Sequence, residues 1–225
     1  IVLFIAMVVV SQFMLTFGSD PNAKVTKKSK SPLSFHPIAL IFGLLSFVSY
    51  LVEGAVGDWS ALYLFEDKGI VIEEAVMGVM LFNGTMCIGR LLGNRLGKHL
   101  TSKQVVVGGY LLGSIAMGLI VFLPGHASMY TYLLLGISLA MIVPNLFSAM
   151  GEQNVIPMTQ AVATSTMLGY MGILMGPALI GFIAHSTSLT VAFIVLTTLL
   201  VVSAGIGKYA YHLMSKDCGL SEEQI

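Results

Sequence analysis

Charged residues are scarce in this sequence of 225 residues: Asp, Glu, Lys and Arg make up 10% of it, whereas 56% is hydrophobic. A water-soluble domain carries about 25% charged residues, which keep its surface wetted. The scarcity therefore excludes an ordinary soluble domain. The 11 basic residues only balance the 11 acidic ones, so the basic footprint of a nucleic-acid-binding protein is absent too. The solvent for so many apolar side chains must be lipid.

Cysteine and histidine are also few. Cys87 lies in an apolar run and Cys218 in a polar tail, so the two do not form the framework of a disulfide-stabilised domain. The five histidines show no metal-ligand spacing. No glycine-rich phosphate loop and no nucleophile–base constellation is present. The sequence therefore predicts no cofactor, no metal site and no enzyme.

Long apolar runs dominate what is present. A bilayer core about 30 Å thick needs roughly 20 apolar residues as helix. Six runs satisfy this length, at 37–65, 75–94, 104–123, 129–150, 158–184 and 188–210. They predict an all-α membrane protein with a six-helix transmembrane bundle at 37–210. A further run at 1–17 has no basic segment before it, as a signal peptide would, and predicts the end of a preceding transmembrane helix.

Basic residues predict the orientation of the bundle. Residues 18–36 hold four lysines and read as a flexible linker, and residues 211–225 read as a polar tail. If the linker is cytoplasmic, ten of the eleven Lys and Arg residues fall on the cytoplasmic side, as the positive-inside rule requires. These are Lys24, Lys27, Lys28, Lys30, Arg90, Arg95, Lys98, Lys103, Lys208 and Lys216. Only Lys68 falls outside, so linker and tail are predicted to be cytoplasmic.

Polar residues within the first complete run form a stripe at helical spacing. Its members are Ser46, Ser49, Tyr50, Glu53, Gly57 and Ser60. A charge inside a membrane costs about 2.5–3.5 kcal/mol on insertion scales, so the presence of Glu53 requires an explanation. Either the stripe lines a wet cavity, or neighbouring hydroxyls satisfy a structural carboxyl.

Asp58 lies about 140° around the helix from Glu53, beside Trp59, which suits the interfacial aromatic belt. Asp58 and Trp59 are candidates for a gate or an interface, and the alternative for Asp58 is a position at a solvated helix end.

Other runs also carry polar groups. Asn83, Cys87 and Arg90 share one side of the second run, where Arg90 can also simply snorkel to the interface. In the fourth run Pro144 precedes Asn145, and a proline there frees a carbonyl that another group must satisfy.

The fifth run has Tyr170 on one side and glycines on another. Gly172 and Gly176 form a small-residue pattern that favours close helix packing. The third and sixth runs hold only hydroxyls and aromatics in their interiors, apart from Gln104 and Lys208 near their ends. Such a split is typical of a bundle in which some helices face water and others face lipid.

The chain resembles the C-terminal half of a major facilitator superfamily transporter. Residues 53–64 (EGAVGDWSALYL) resemble the seventh helix of the branch that includes fucose permease and the YbjJ-type proteins. Residues 89–98 (GRLLGNRLGK) resemble the basic loop between helices eight and nine, although Asn94 stands where an acid is common. Pro144 and Asn145 match the inner end of the tenth helix, and the glycine-rich stretch at 169–182 is similar to the eleventh.

This resemblance implies a twelve-helix protein of the bacterial inner membrane, whose N-terminal six-helix half precedes this chain. It also implies secondary transport of a small, sugar-like solute by alternating access. We expect Glu53 to contact a proton or the solute, because a carboxyl in a low-dielectric environment is readily protonated. Tyr50, Asn83, Asn145 and Tyr170 are the other expected pathway residues, and Arg90 and Arg95 join the gate or interface set. The alternative is a membrane scaffold or receptor that keeps the fold without transporting.

Overall fold

The chain is all-helical in the part that the computed structural model describes: residue 33 and residues 36–96, 100–153 and 155–218, with only the backbone given for 94–96 and 217–218. The predicted helix end at 1–17, most of the linker, the end of the tail and the Arg95 side chain lie outside these residues. The helices are α1 (Pro37–Glu66), α2 (Ile72–Leu96), α3 (Ser102–Phe122), α4 (Gly125–Ala140), α5 (Ile142–Glu152), α6 (Met158–Ser186) and α7 (Leu189–Cys218).

Six helical spans within the described residues are long and apolar enough to cross a membrane. Helices α4 and α5 together form one of them, Gly125–Glu152. The predicted six-helix membrane fold is therefore confirmed. Helix α7 continues to Cys218, beyond residue 210 where the apolar pattern ends.

Local sequence signals set several helix ends. Pro37 opens α1, and the His36 ring accepts a hydrogen bond from the Ile38 amide at 3.4 Å. Thr101 and Gln104 form a reciprocal capping box at the start of α3. After α1 the chain turns at Gly69, whose φ of 68° suits a residue without Cβ, and the Ile70 amide closes the turn onto the Leu64 carbonyl at 3.0 Å.

Helix α1 lies at the centre of the bundle and is the most buried span, whereas α2 and α6 are the least buried. It packs mainly against α6, α2 and α7, while α3 packs on α4 and α7, and α2 on α4. The fully buried large side chains around it include Phe42, Tyr63, Tyr110, Tyr132 and Phe193. The central position of α1 brings the polar stripe in its middle next to several other helices.

Helices α1 and α6 approach closely through glycines. A Cβ at Gly172 would collide with the Phe47 carbonyl oxygen, and one at Gly176 would come within 2.5 Å of the Leu51 carbonyl oxygen. The prediction that these glycines form a packing surface is confirmed. The absence of side chains at both positions brings the two backbones together and fixes α6 against the polar stripe of α1.

The fourth span is broken where the proline predicted a disturbance. Met141 separates α4 from α5, and the Asn145 side-chain amide donates to the Met141 carbonyl at 2.8 Å. The Asn145 backbone amide also donates to this carbonyl, at 3.1 Å, so the side chain is a second donor at the break. The Met141 side chain fills the space over Gly93 of α2.

The turn between α1 and α2 is tied to three other helices. Lys68 donates to the Val121 carbonyl at 2.6 Å, Thr190 donates to the Asp67 carboxylate at 2.7 Å, and His126 contacts the Glu74 carboxylate at 2.7 Å. Burial lowers the pKa of the Lys68 ammonium, an effect that the Asp67 carboxylate opposes. These contacts hold one end of the bundle together.

Candidate functional site

An ion pair joins the two most central charges of the bundle. Arg90 Nη2 lies 3.2 Å from Glu53 Oε2 and 3.4 Å from Oε1. Glu53 sits near the middle of α1, and Arg90 lies in the second half of the antiparallel neighbour α2. The sequence singled out both residues but treated them separately; their pairing depends on the register between the two helices.

The pair is accessible rather than sealed in the bundle. The Glu53 side chain is 23% exposed and that of Arg90 is 45% exposed. Arg90 lies on a side of α2 whose residues Asn83 and Cys87 are also exposed. Glu53 therefore has a charged and accessible partner, and of the two alternatives a carboxyl satisfied only by neighbouring hydroxyls does not describe its surroundings.

Two tyrosines extend the site along α1 and α6. The Tyr50 ring, one turn before Glu53, lies parallel to that of Tyr170, with an interplanar angle of 2° and 6.4 Å between the ring centres. Tyr170 is 63% exposed. Gly169 makes room for this arrangement, because a Cβ there would lie 2.6 Å from the Tyr50 ring. Tyr50 also interacts electrostatically with Glu53 and Arg90.

We refer to Tyr50, Glu53, Arg90 and Tyr170 as the four-residue site. It combines an acceptor, a guanidinium donor, and aromatic faces with hydroxyl tips. Such a set can hold a small polar solute by hydrogen bonds and by packing on a ring.

The polar stripe of α1 divides between two environments. Ser46, Ser49 and Ser60 are buried, whereas Glu53 is half-buried and Gly57 is exposed. Ser49 shares a 2.8 Å hydrogen bond with the Tyr110 hydroxyl of α3. The stripe is thus a boundary between the bundle interior and an accessible face, because neighbouring helices cover one of its edges.

The two asparagines have different surroundings. Asn83 is exposed on α2, and its amide donates to the Val79 carbonyl of its own helix at 3.0 Å. Asn145 is half-buried, donates to Met141 and accepts a 3.4 Å hydrogen bond from Ser102 of α3. The hydrogen bonds of Asn145 therefore go to the α4–α5 break and to α3 rather than to the four-residue site.

The gate and interface candidates also separate. Asp58 is exposed, whereas the half-buried Trp59 donates from its indole nitrogen to the Pro177 carbonyl at 2.9 Å and so ties α1 to α6. Arg95 belongs to α2, but its side chain lies outside the described residues. Among the described residues, no group of three or more His, Cys, Asp and Glu is placed to hold a metal ion.

Comparison with known proteins identifies relatives in bacteria. The chain is 41% identical over 168 residues to an uncharacterized MFS-type transporter of Yersinia pestis, YPO1221/y2967. The aligned part is 73% of this chain and 43% of the relative. It is 30% identical over 170 residues to the membrane protein MosC of Rhizobium meliloti, covering 74% of this chain and 42% of MosC. The uncharacterized transporter y4wD of Sinorhizobium fredii is 28% identical over 159 residues, or 69% of this chain and 41% of y4wD.

A solved structure shares the fold. A point variant of the Escherichia coli fucose:proton symporter FucP superposes with a TM-score of 0.67 at 16% identity, over 77% of this chain and 42% of FucP. No family model matches the sequence. The chain spans about two-fifths of the length of each of these proteins. The expected resemblance to major facilitator superfamily transporters is confirmed, and these relatives belong to a non-enzymatic class.

Proposed function

We propose that this chain, a relative of the major facilitator superfamily transporters, forms the C-terminal six-helix half of a secondary transporter for a small solute. The observation that supports this most directly is the Glu53–Arg90 ion pair, which is accessible although both residues lie within membrane-spanning helices. Charges at that depth are costly and generally border a substrate or ion pathway.

The uneven burial of the helices supports the same proposal. Helices α2 and α6, which supply Arg90 and Tyr170, have the least buried spans. Alternating access requires a site at a face between two halves that move against each other. A preceding six-helix half, connected through the 18–36 linker, would cover this face and close the four-residue site.

Proton coupling is the part of the mechanism assigned to Glu53. Protonation of its carboxylate would remove the attraction to Arg90, and loss of the proton would restore it. The site thus has two electrostatic states, which a solute can bias by binding one of them better. The resemblance in fold to a fucose:proton symporter supports a sugar-like solute and proton-driven movement.

The proposed location is the bacterial inner membrane, with the linker and residues 211–225 in the cytoplasm. The distribution of Lys and Arg supports this orientation, and the relatives named above are bacterial proteins. The remaining partners would be lipid and the N-terminal half.

Accessibility of Cys87 tests alternating access without knowledge of the solute. Cys87 is exposed on the side of α2 that carries Arg90. In the full-length protein with Cys218→Ser, we expect a membrane-impermeant maleimide to label Cys87 from either side of oriented vesicles, and a proton gradient to change the ratio of the two rates. Labelling from one side only, unaffected by the gradient, would instead identify a scaffold or receptor. Cys87→Ser serves as the unlabelled control.

A further inference from the structure

We propose that the solute is an organic anion with a carboxylate beside a ring, and that Arg90 binds this carboxylate once protonated Glu53 has released it. The proposal rests on the proposed function and adds a substrate class to it. Glu53 is thus an internal competitor that occupies the anion site when no solute is present.

The geometry of the ion pair leaves Arg90 with unused donors. One nitrogen, Nη2, makes both contacts to Glu53, at 3.2 and 3.4 Å. A tight guanidinium–carboxylate pair uses two nitrogens at about 2.7–2.9 Å. Arg90 Nη1 and Nε form no hydrogen bond with the described residues, and the Arg90 side chain is 45% exposed. A second carboxylate can therefore reach the guanidinium fork in the bidentate geometry that Glu53 does not occupy.

Charge balance favours an anion over a cation. The charged or titratable groups that interact with Glu53 are Arg90 from α2 and Tyr50 from its own helix, and Tyr50 in turn stacks on Tyr170 of α6. The hydrogen bonds and ion pairs of α3, α4, α5 and α7 within the described residues bring Glu53 no further charge. One proton on Glu53 and one anion on Arg90 leave the site neutral. A cationic solute on Glu53 would strand Arg90, because Asp58 lies about 7.5 Å along α1 and on another side.

The aromatic pair indicates what accompanies the carboxylate. The faces of Tyr50 and Tyr170 are parallel, Tyr170 is largely exposed, and Tyr50 lies one helical turn before Glu53. A sugar or carbocyclic ring can pack on such a face while its hydroxyls bond to the phenol oxygens. A sugar acid satisfies both the guanidinium and the aromatic surface, whereas a neutral sugar would leave the ion pair closed.

Three sugars of nearly equal shape separate the possibilities: D-glucuronate, D-glucose and D-glucosamine. Their dissociation constants are measured by thermal shift on the purified full-length protein. We expect D-glucuronate to bind best, with about fivefold tighter binding in Glu53→Gln, because a half-exposed internal pair competes only modestly. Arg90→Gln should weaken the binding of D-glucuronate about tenfold, and Arg90→Lys should weaken it less. The matched control is Lys208→Gln, which removes one exposed positive charge from α7 and should leave this binding unchanged.

Several results would overturn the proposal. Tighter binding of D-glucosamine in Arg90→Gln would indicate a cationic solute, and binding of D-glucose as tight as that of D-glucuronate in the wild type, unchanged in both variants, would indicate a neutral one. Equal dissociation constants of D-glucuronate in Glu53→Gln and Arg90→Gln would exclude an anion site at Arg90. Should a neutralised variant fail to fold, Glu53→Asp and Arg90→Lys carry the same comparison. If Cys87 labelling alternates while the anion preference fails, only the substrate class is wrong; if labelling does not alternate, the transport proposal is wrong.

Discussion

The partner of Glu53 in its apolar helix comes from a different helix, because Arg90 belongs to α2. An ion pair offsets part of the desolvation of each member, and a pair as exposed as this one contributes no more than about 1 kcal/mol to the free energy of unfolding. Because both side chains retain contact with the accessible face, the pair can also be opened at modest cost. This combination suits a residue that must change its protonation state.

Replacing Glu53 with Gln removes the titratable proton and nearly preserves the shape. We expect Glu53→Gln to abolish proton-driven accumulation of solute in proteoliposomes while downhill exchange continues. The free energy of unfolding should change by less than about 1 kcal/mol, because a half-exposed pair contributes no more than that. Glu66→Gln is the matched control, since Glu66 is exposed at the end of the same helix. Accumulation at the wild-type level in Glu53→Gln would remove Glu53 from the coupling mechanism.

Tyr110 shows the opposite arrangement, a polar group that is fully enclosed and satisfied. Its hydroxyl donates to the Leu45 carbonyl at 2.7 Å and shares a 2.8 Å hydrogen bond with Ser49. We expect Tyr110→Phe to lower the free energy of unfolding by about 1 kcal/mol, because Ser49 loses this partner but can bond to its own helix. Unfolding in mixed detergent measures the change. In a double-mutant cycle with Ser49→Ala, the two effects should be less than additive; strict additivity would contradict a direct bond.

Helix pairs are held by shape more than by polar contacts. The closest approach, between α1 and α6, uses glycines on α6 against carbonyl oxygens of α1. The same contact places the Tyr170 ring against the Tyr50 ring. The packing of the two helices therefore also positions these two residues of the site. The broken span α4–α5 contacts α1 as well and packs Met141 over Gly93 of α2, three residues after Arg90.

Gly172→Ala tests the α1–α6 contact. The added methyl would overlap the Phe47 carbonyl, and we expect a loss of about 1–3 kcal/mol in the free energy of unfolding, as for other overpacked sites. Gly84→Ala is the control, because open space surrounds Gly84 in α2; there the change should be neutral or stabilising by about 0.5–1 kcal/mol. Equal effects of the two substitutions would show that helix propensity, rather than the contact, decides the outcome.

Across the whole molecule, one end of the bundle is polar and tied together while a side face is open. The ties from Asp67, Lys68 and Glu74 reach α7, α3 and α4. The least buried spans, α2 and α6, both pack on α1 and supply Arg90 and Tyr170 to the four-residue site. This asymmetry suits the proposed role as half of a transporter, because such a half must stay rigid while its partner moves over one face.

The predicted orientation can be read from two positions on opposite ends of the spans. In a Cys87→Ser and Cys218→Ser background of the full-length protein, His126→Cys should react with an impermeant maleimide added to intact cells. Lys103→Cys should react only after the membrane is opened, because the positive-inside rule places that end in the cytoplasm. The reverse pattern would invert the topology. Labelling of both positions in opened membranes controls for local burial.

The sequence by itself determined the membrane class, the six spans, a disturbance near Pro144 in the fourth span and the packing role of Gly172 and Gly176. Each of these follows from hydropathy, proline chemistry or residue size, which act over one helix at a time. Only the tertiary structure decided that Glu53 meets Arg90, that Tyr50 stacks on Tyr170, and that Asn145 bonds to α3 and to the α4–α5 break. Those contacts depend on the rotation and register of one helix against another, and many side chains distributed along both helices set these together.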